Sequence, residues 1–181
     1  MSGSLRPTQM DWTTFVATFG HVFEHSPWIA EAAYDAGLPD DADTAEGLHR
    51  ALCAVLRPAD EAKKRALILA HPDLAGRLAH AGRLTADSTR EQAGAGLDQL
   101  TEAELARFTE LNDAYKARFG FPFIMAVKGR SKEEILAAFE ERLDHDPEQE
   151  FDTAIVQIEL IGLLRLKDRL PSLADVFSTL A

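Results

Sequence analysis

Helix start and stop signals recur along this chain, and they constrain its fold more than any other feature of the sequence. Ser88, Thr101 and Ser131 each precede a glutamate by three residues, which is the pattern of a capping box. Asp146 before Pro147 is a further N-cap pattern, because proline suits the first position of a helix. The predicted stops are glycines and prolines: Gly20, Pro27, Gly37, Pro39, Pro72, Gly120, Pro122 and Pro171.

The spacing of apolar residues between these limits is helical, and no alternating strand pattern appears. With 181 residues, of which 46% are apolar and 27% charged, the chain has the length and composition of one globular domain. The sequence therefore predicts an all-α fold, a single compact domain of about eight helices with no sheet. We expect residues 1–10 to form a flexible N-terminal tail and residues 11–181 to form the helical domain.

Charge and composition exclude several classes of partner. The formal net charge of −11 argues against nucleic acid or an anionic membrane, because such contacts depend on clustered Lys and Arg. Cys53 is the single cysteine, so neither an internal disulfide nor a thiolate zinc cluster is expected. No run approaches the roughly 20 apolar residues of a membrane span, and residues 1–11 lack the apolar core of a signal peptide. The last residues, 178–181, carry no peroxisomal address, and we expect a cytoplasmic protein.

The last long predicted helix, residues 147–170, carries an arginine on its apolar stripe. The stripe consists of Phe151, Ala154, Ile155, Ile158, Ile161 and Gly162, and the next position on it is Arg165. An arginine at such a position is either paired in the core or directed at a buried anion. The same helix is also apolar at Leu160, Leu163, Leu164 and Leu166. Because a helix that is apolar on several faces is deeply buried or lies in a subunit interface, we expect a homodimer.

Three short segments can supply chemistry, although each also has a structural interpretation. His71 precedes Pro72 where a helix must end, and it is either a titratable base or a cap on the helix C-terminus. Glu91 is either a catalytic carboxylate or the third residue of the capping box that begins at Ser88. Gln92 is either a ligand-binding amide or a solvated helix residue. The apolar run 119–124 is broken by Gly and Pro, and it is either rigid pocket backbone or core filling.

A metal-site pattern occurs near the N-terminus. His21, Glu24 and His25 match the H-x-x-E-H pattern of some zinc peptidases, which requires the two histidines to lie one turn apart on a helix. Pro27 ends the helix directly afterwards, and no downstream glutamate stands out as a third ligand. Because a match of five residues arises readily by chance, we favour a helix end and expect no metal.

Read together, the segments resemble the 2-oxo-4-hydroxy-4-carboxy-5-ureidoimidazoline (OHCU) decarboxylase family, whose members catalyse the last step from urate to (S)-allantoin. The resemblance begins near Phe15 and runs to Leu170, so it covers nearly the whole chain. The residues that carry it are Glu24-His25-Ser26-Pro27-Trp28-Ile29-Ala30-Glu31, His71-Pro72-Asp73-Leu74, Ser88-x-x-Glu91-Gln92-x-x-Ala95-Gly96-Leu97, Leu111-Asn112-x-x-Tyr115-x-x-Arg118-Phe119-Gly120-Phe121-Pro122-Phe123-Ile124 and Leu164-Arg165-Leu166. Slight departures from the family pattern, at Ala75-Gly76 and in the acidic loop 35–45, touch no proposed catalytic position.

The resemblance implies a cofactor-free carboxy-lyase that binds a small-molecule substrate. The family's catalytic residues fall on His71, Glu91 and Arg165. Its substrate-binding residues fall on Pro72, Ser88, Gln92, Phe123, Ile124, Met125, Ala126 and Val127. The 24–27 segment is one that this family carries without metal. Two alternatives are a non-catalytic ligand-binding relative, which would not need both His71 and Glu91, and a helical interaction module, which leaves Arg165 unexplained.

Overall fold

The computed structural model describes residues 5–76 and 84–179, and within them the secondary structure is helical. In these described residues, a 3-10 turn, Pro7–Gln9, precedes nine α-helices. The α-helices are α1 (Trp12–Phe19), α2 (Trp28–Asp35), α3 (Ala45–Leu56), α4 (Glu61–Ala70), α5 (Ala86–Gly94), α6 (Glu102–Phe119), α7 (Lys132–Arg142), α8 (Pro147–Lys167) and α9 (Leu173–Thr179). No strand occurs in these residues, and the predicted all-α class is confirmed. None of these helices is long and apolar enough to cross a membrane.

Most of the predicted helix starts are confirmed by their hydrogen bonds. Thr101 and Ser131 form capping boxes with Glu104 and Glu134 at the starts of α6 and α7. At the start of α8, the Asp146 carboxylate accepts from the backbone N–H of Gln149 at 2.9 Å. These short polar patterns predicted the helix starts because each is satisfied by backbone groups within one turn of the cap.

Helix α5 begins one turn earlier than predicted. Its N-cap is Thr85, whose hydroxyl accepts from the backbone N–H of Ser88 at 3.3 Å. Both residues are N-cap types, and the acidic Asp87 in the first turn favours the earlier start through the helix dipole. The prediction of Ser88 as the cap is therefore wrong, and so is the capping interpretation of Glu91, which lies in the second turn.

Contacts divide the chain into two compact units, and α4 and α8 each contribute residues to both. The first unit consists of residues 1–67 and 159–181. Its core contains Phe15, Ile29, Leu48 and Leu52, all fully buried. Gly162 allows close packing here, because a Cβ at this position would lie 3.0 Å from the ring of Phe23.

The second unit consists of residues 68–158 and has an aromatic core. Tyr115 lies at its centre, with the rings of Phe123 and Phe139 edge-on to it. Gly120 ends α6 in the left-handed conformation, with φ of 75°, which glycine adopts without strain. The chain then continues as the non-helical segment 121–127, as the Gly and Pro pattern predicted.

Part of the predicted N-terminal tail contacts the first unit. The backbone N–H and the hydroxyl of Thr8 both donate to Asp43 at 2.9 Å, and the hydroxyl of Tyr34 donates to the carbonyl of Met10 at 2.8 Å. Residues 1–4 lie outside the described residues. The flexibility of the tail and the domain boundary at residue 11 stay predictions.

Candidate active site

His71 is the first residue after α4, in a loop that runs to Gly76. Its backbone N–H donates to the carbonyl of Ile68 at 3.1 Å, and Pro72 prevents the helix from continuing. The side chain of His71 is buried. Four residues further on, Ala75 adopts φ of 50°, a left-handed conformation that is strained for a residue with a Cβ. The loop therefore needs contacts that hold it in this shape.

Helix α5 supplies one of these contacts through Gln92. The side-chain carbonyl of Gln92 accepts from the backbone N–H of Ala75 at 2.9 Å. Its amide nitrogen lies 3.5 Å from the carbonyl oxygen of Asp73. Gln92 and Ser88 are both buried, so the interpretation of Gln92 as a solvated helix residue is wrong. Through Gln92, the structure brings the helix of Ser88 and Glu91 against the loop of His71.

Helix α6 supplies two more contacts to the same loop. The amide nitrogen of Asn112 donates to the carbonyl of Leu74 at 2.8 Å, and the ammonium of Lys116 lies 2.6 Å from the carboxylate of Asp73. Asn112 and Lys116 are four residues apart and so share a face of the helix. Sequence reasoning did not assign them a role. The available signal was a polar pair on the same face as the buried Phe108 and Tyr115.

The segment proposed to line the pocket is fixed through its backbone. The guanidinium of Arg142 donates to the carbonyl of Ile124 at 2.7 Å, and the backbone N–H of Ala126 donates to the side-chain carbonyl of Gln157 at 2.9 Å. The ring of Phe123 stacks on Phe139 with 3.7 Å between centroids. The core-filling interpretation therefore holds for the side chain of Phe123.

The remaining residues of this segment differ in exposure. Ile124, Ala126 and Val127 are buried, and Met125 is partly exposed. Their contacts with a ligand stay predictions.

A buried ionic cluster holds Arg142 in place. The carboxylate of Glu150, which is fully buried, accepts from Arg142 and from the hydroxyl of Tyr115, and it lies 2.8 Å from Nδ1 of His145. Burial, and then the hydrogen bond to Glu150, raise the pKa of Tyr115, so its hydroxyl stays a donor. No sequence pattern indicated this cluster, because its members are spread over three helices and the loop before α8.

Arg165 lies in the first unit and is buried, as its place on the apolar stripe predicted. Its guanidinium donates to the carboxylate of Glu24 at 3.0 Å and to the carbonyl of Val22 at 3.2 Å. The core-pairing interpretation is therefore confirmed. Sequence reasoning missed Glu24 as the partner, although this residue opens one of the segments that carry the family resemblance.

The H-x-x-E-H segment is not helical. Helix α1 ends at Phe19, and residues 20–25 form turns in which His25 adopts φ of 46°. Glu24 faces Arg165, and the ring of His21 contacts the guanidinium of Arg169. Among residues 5–76 and 84–179, no group of three His, Cys, Asp or Glu side chains could hold a metal ion. The helical spacing that the zinc interpretation required is therefore absent.

Comparison with known proteins gives concordant matches. Residues 8–167 match the family model described as OHCU decarboxylase. The chain is 40% identical to the 2-oxo-4-hydroxy-4-carboxy-5-ureidoimidazoline decarboxylase of Haloferax volcanii, covering 91% of this chain and 94% of that protein. It is also 40% identical to the protein of the same name from Halalkalicoccus jeotgali, covering 88% of this chain and 87% of that protein.

A solved structure matches as well. The crystal structure of (S)-allantoin synthase is 33% identical, with a TM-score of 0.72 over 91% of this chain. The chain spans 52% of the length of that protein.

Proposed function

We propose that this chain, which belongs to the OHCU decarboxylase family, converts OHCU to (S)-allantoin and CO2 as a carboxy-lyase of urate degradation. The observation that carries the proposal is the match over residues 8–167, a range that includes His71, Glu91 and Arg165, the residues proposed to be catalytic. The buried side chain of His71, on a loop held by Gln92 of α5, supports it, because a catalytic group needs a fixed position.

The substrate provides its own electron sink. Its carboxylate is attached to a ring carbon that also bears a hydroxyl and lies beside a C=N bond. When the bond to the carboxylate breaks, the electron pair moves into the ring, and the nitrogen of the C=N bond takes up a proton. The hydroxyl then loses its proton as a carbonyl forms, and the carbon that bears the ureido group gains a proton. No added electron sink is needed, so a cofactor-free reaction is expected.

His71 and Glu91 are the groups proposed to move these protons. An imidazole exchanges protons near neutral pH and suits the substrate hydroxyl or the ring nitrogen. A carboxylate on Glu91 orients His71 or the ureido group and favours protonation on one face of the ring. Ser88 and Gln92 are proposed substrate contacts, and the amide oxygen of Gln92 already accepts a hydrogen bond from the backbone N–H of Ala75.

Arg165 is proposed to stabilise negative charge on the substrate. A guanidinium suits a carboxylate or the oxyanion that develops on the ring. Its ion pair with Glu24 moderates this attraction, since the same cation is shared between two anions. Moderate attraction is suitable, because tight binding of the departing carboxylate would stabilise the ground state.

Circular dichroism that follows (S)-allantoin formation from freshly generated substrate tests the proposal. His71→Asn keeps a similar size but removes the titratable ring, and we expect turnover to fall by about 100-fold or more with the fold retained. A parent protein that binds (S)-allantoin without forming it would instead indicate a non-catalytic relative. Activity that a chelator abolishes and zinc restores would contradict the cofactor-free mechanism.

A homodimer and a cytoplasmic location complete the proposal. Val156 and Leu160, one turn apart on α8, are 58% and 39% exposed, and a second copy of the chain would cover them. Cys53 is buried as a free thiol, which suits a reducing compartment.

A further inference from the structure

We propose that Asn112 positions His71 for catalysis by holding the carbonyl of Leu74. The inference rests on the proposed function and adds a residue outside the groups assigned to touch the substrate. The hydrogen bond from Asn112 to Leu74 joins the middle of α6 to the loop three residues after His71.

Only one of the two polar atoms of the Asn112 side chain has a hydrogen-bond partner among the described residues. It is 3% exposed, and its amide nitrogen donates to the carbonyl of Leu74. Its amide oxygen is buried and has no hydrogen-bond partner among the described residues. Leaving a buried acceptor unsatisfied opposes folding, so a residue that only filled the core here would not carry an amide. The donation to Leu74 is the interaction that accounts for an asparagine at this position.

The backbone of the loop 71–76 is strained, so other residues must hold its conformation. Ala75 is in a left-handed conformation, and a Cβ on Gly76 would lie 2.6 Å from the Cβ of Asp73. Such a conformation persists only where its surroundings fix it. Asn112 and Gln92 hold the two polar groups of the peptide bond between Leu74 and Ala75, its carbonyl and its N–H respectively.

Pro72 couples the position of His71 to that of the turn at residues 73–75. Proline fixes its own φ and restricts the residue before it, so a displacement of residues 73–75 is carried back to His71 rather than absorbed. A shift of roughly 1 Å in a catalytic group can lower a rate by as much as about 100-fold. Loss of the bond between Asn112 and Leu74 is therefore expected to lower turnover through His71.

A double-mutant cycle tests this coupling. Asn112→Leu keeps the branched shape of the side chain and removes the donor, and we expect kcat to fall by about tenfold or more, with KM changed by less than about threefold. In the His71→Asn background, the same substitution is expected to have little further effect on kcat, because both changes act through one group. Equal falls in the two backgrounds would overturn the proposal and indicate a structural role. An unchanged kcat in the parent background would also overturn the proposal.

The control is Ile135→Val, which removes one methyl group from a fully buried residue of α7. We expect the control to lower the melting temperature and to leave kcat and its pH profile unchanged. Should Asn112→Leu not fold, Asn112→Ala removes the same donor and takes its place.

A readout without substrate separates failure of this inference from failure of the proposed function. We expect the pH midpoint of the His71 ring titration, measured by NMR, to differ from that of the parent in Asn112→Leu and to equal it in Ile135→Val. A parent that forms no (S)-allantoin would contradict the proposed function, and the ring titration would still test the positioning. An unchanged midpoint in Asn112→Leu would overturn the positioning role.

Discussion

At the scale of the residue, Glu91 is the position where substitution best distinguishes a structural role from a catalytic role. It lies in the second turn of α5, since Thr85 caps that helix, so the N-cap of α5 does not depend on its carboxylate. Glu91→Gln keeps the size and nearly the helix propensity, and we expect a stability change well under about 1 kcal/mol and a melting temperature within a few degrees. Turnover should fall by about tenfold or more, because the charge and the exchangeable proton are gone.

The matched control for Glu91 is Glu133→Gln, the same change at an exposed glutamate of α7. Both variants are to be measured by thermal unfolding and by the (S)-allantoin assay. A Glu91→Gln protein that turns over at the parent rate would remove the carboxylate from the mechanism and leave His71 and Arg165 to carry it.

Single residues were predictable where the sequence made them anomalous. Arg165 stood out because it interrupts an apolar stripe, and the structure buries it as expected. Its partner Glu24 did not stand out, because it lies far away along the chain in a segment that also fits a zinc pattern. The position of Asn112 on the buried face of α6 was a signal, but its role could not be assigned, because its partner is a backbone carbonyl, which leaves no signature in the sequence.

At the scale of the element, helix starts were the most predictable features and α5 was the exception. Where Thr101, Ser131 and Asp146 each stood alone as a cap, the start followed. At α5 the capping-box pattern predicted Ser88, although Thr85, one turn earlier, is also a favoured N-cap residue and is the one that the structure uses. Contacts such as that of Gln92 with Ala75 contribute to this choice, and they depend on the fold.

The start of α5 can be tested with a pair of threonines. Thr85→Ala removes the N-cap hydroxyl and should lower the free energy of unfolding by about 1 kcal/mol. Thr89→Ala, inside the same helix, should leave stability unchanged or raise it slightly, because alanine has the higher helix propensity. Urea unfolding of both variants measures the difference. Equal effects would contradict Thr85 as the cap.

His49, in helix α3, is expected to make the stability of the first unit depend on pH. Burial lowers the pKa of His49, whose Nε2 lies 2.8 Å from the carbonyl oxygen of Glu159. The unfolded chain therefore takes up a proton at a pH where the folded chain does not, and stability falls as the pH drops below about 6.5. Urea unfolding at about pH 7.5 and about pH 5.5 should show a smaller difference for His49→Gln than for the parent. An equal difference would place the pH dependence elsewhere.

At the scale of the whole molecule, the all-α fold class and the protein family were predictable, whereas the division of the chain into two compact units was not. The helical class follows from local spacing, and the family from motifs spread over the chain. The division depends on which helices pack together, and neither composition nor caps encode that. Residues 147–170 illustrate the limit, because their apolar pattern predicted one long helix without indicating that α8 contributes to both units.

Assembly is the last property that belongs to this scale, and α8 makes it testable. Val156 and Leu160 leave an apolar strip on its exposed side, and burying it against a second copy would remove that surface from water. We expect light scattering at micromolar concentration to give the mass of two chains of 19.9 kDa each. Leu160→Glu places a charge in the strip and should shift the protein to one chain. Val176→Glu, the same change at an apolar residue of α9 that is 37% exposed, should not. A parent that remains a single chain would contradict the homodimer, and dissociation by both substitutions alike would move the interface away from α8.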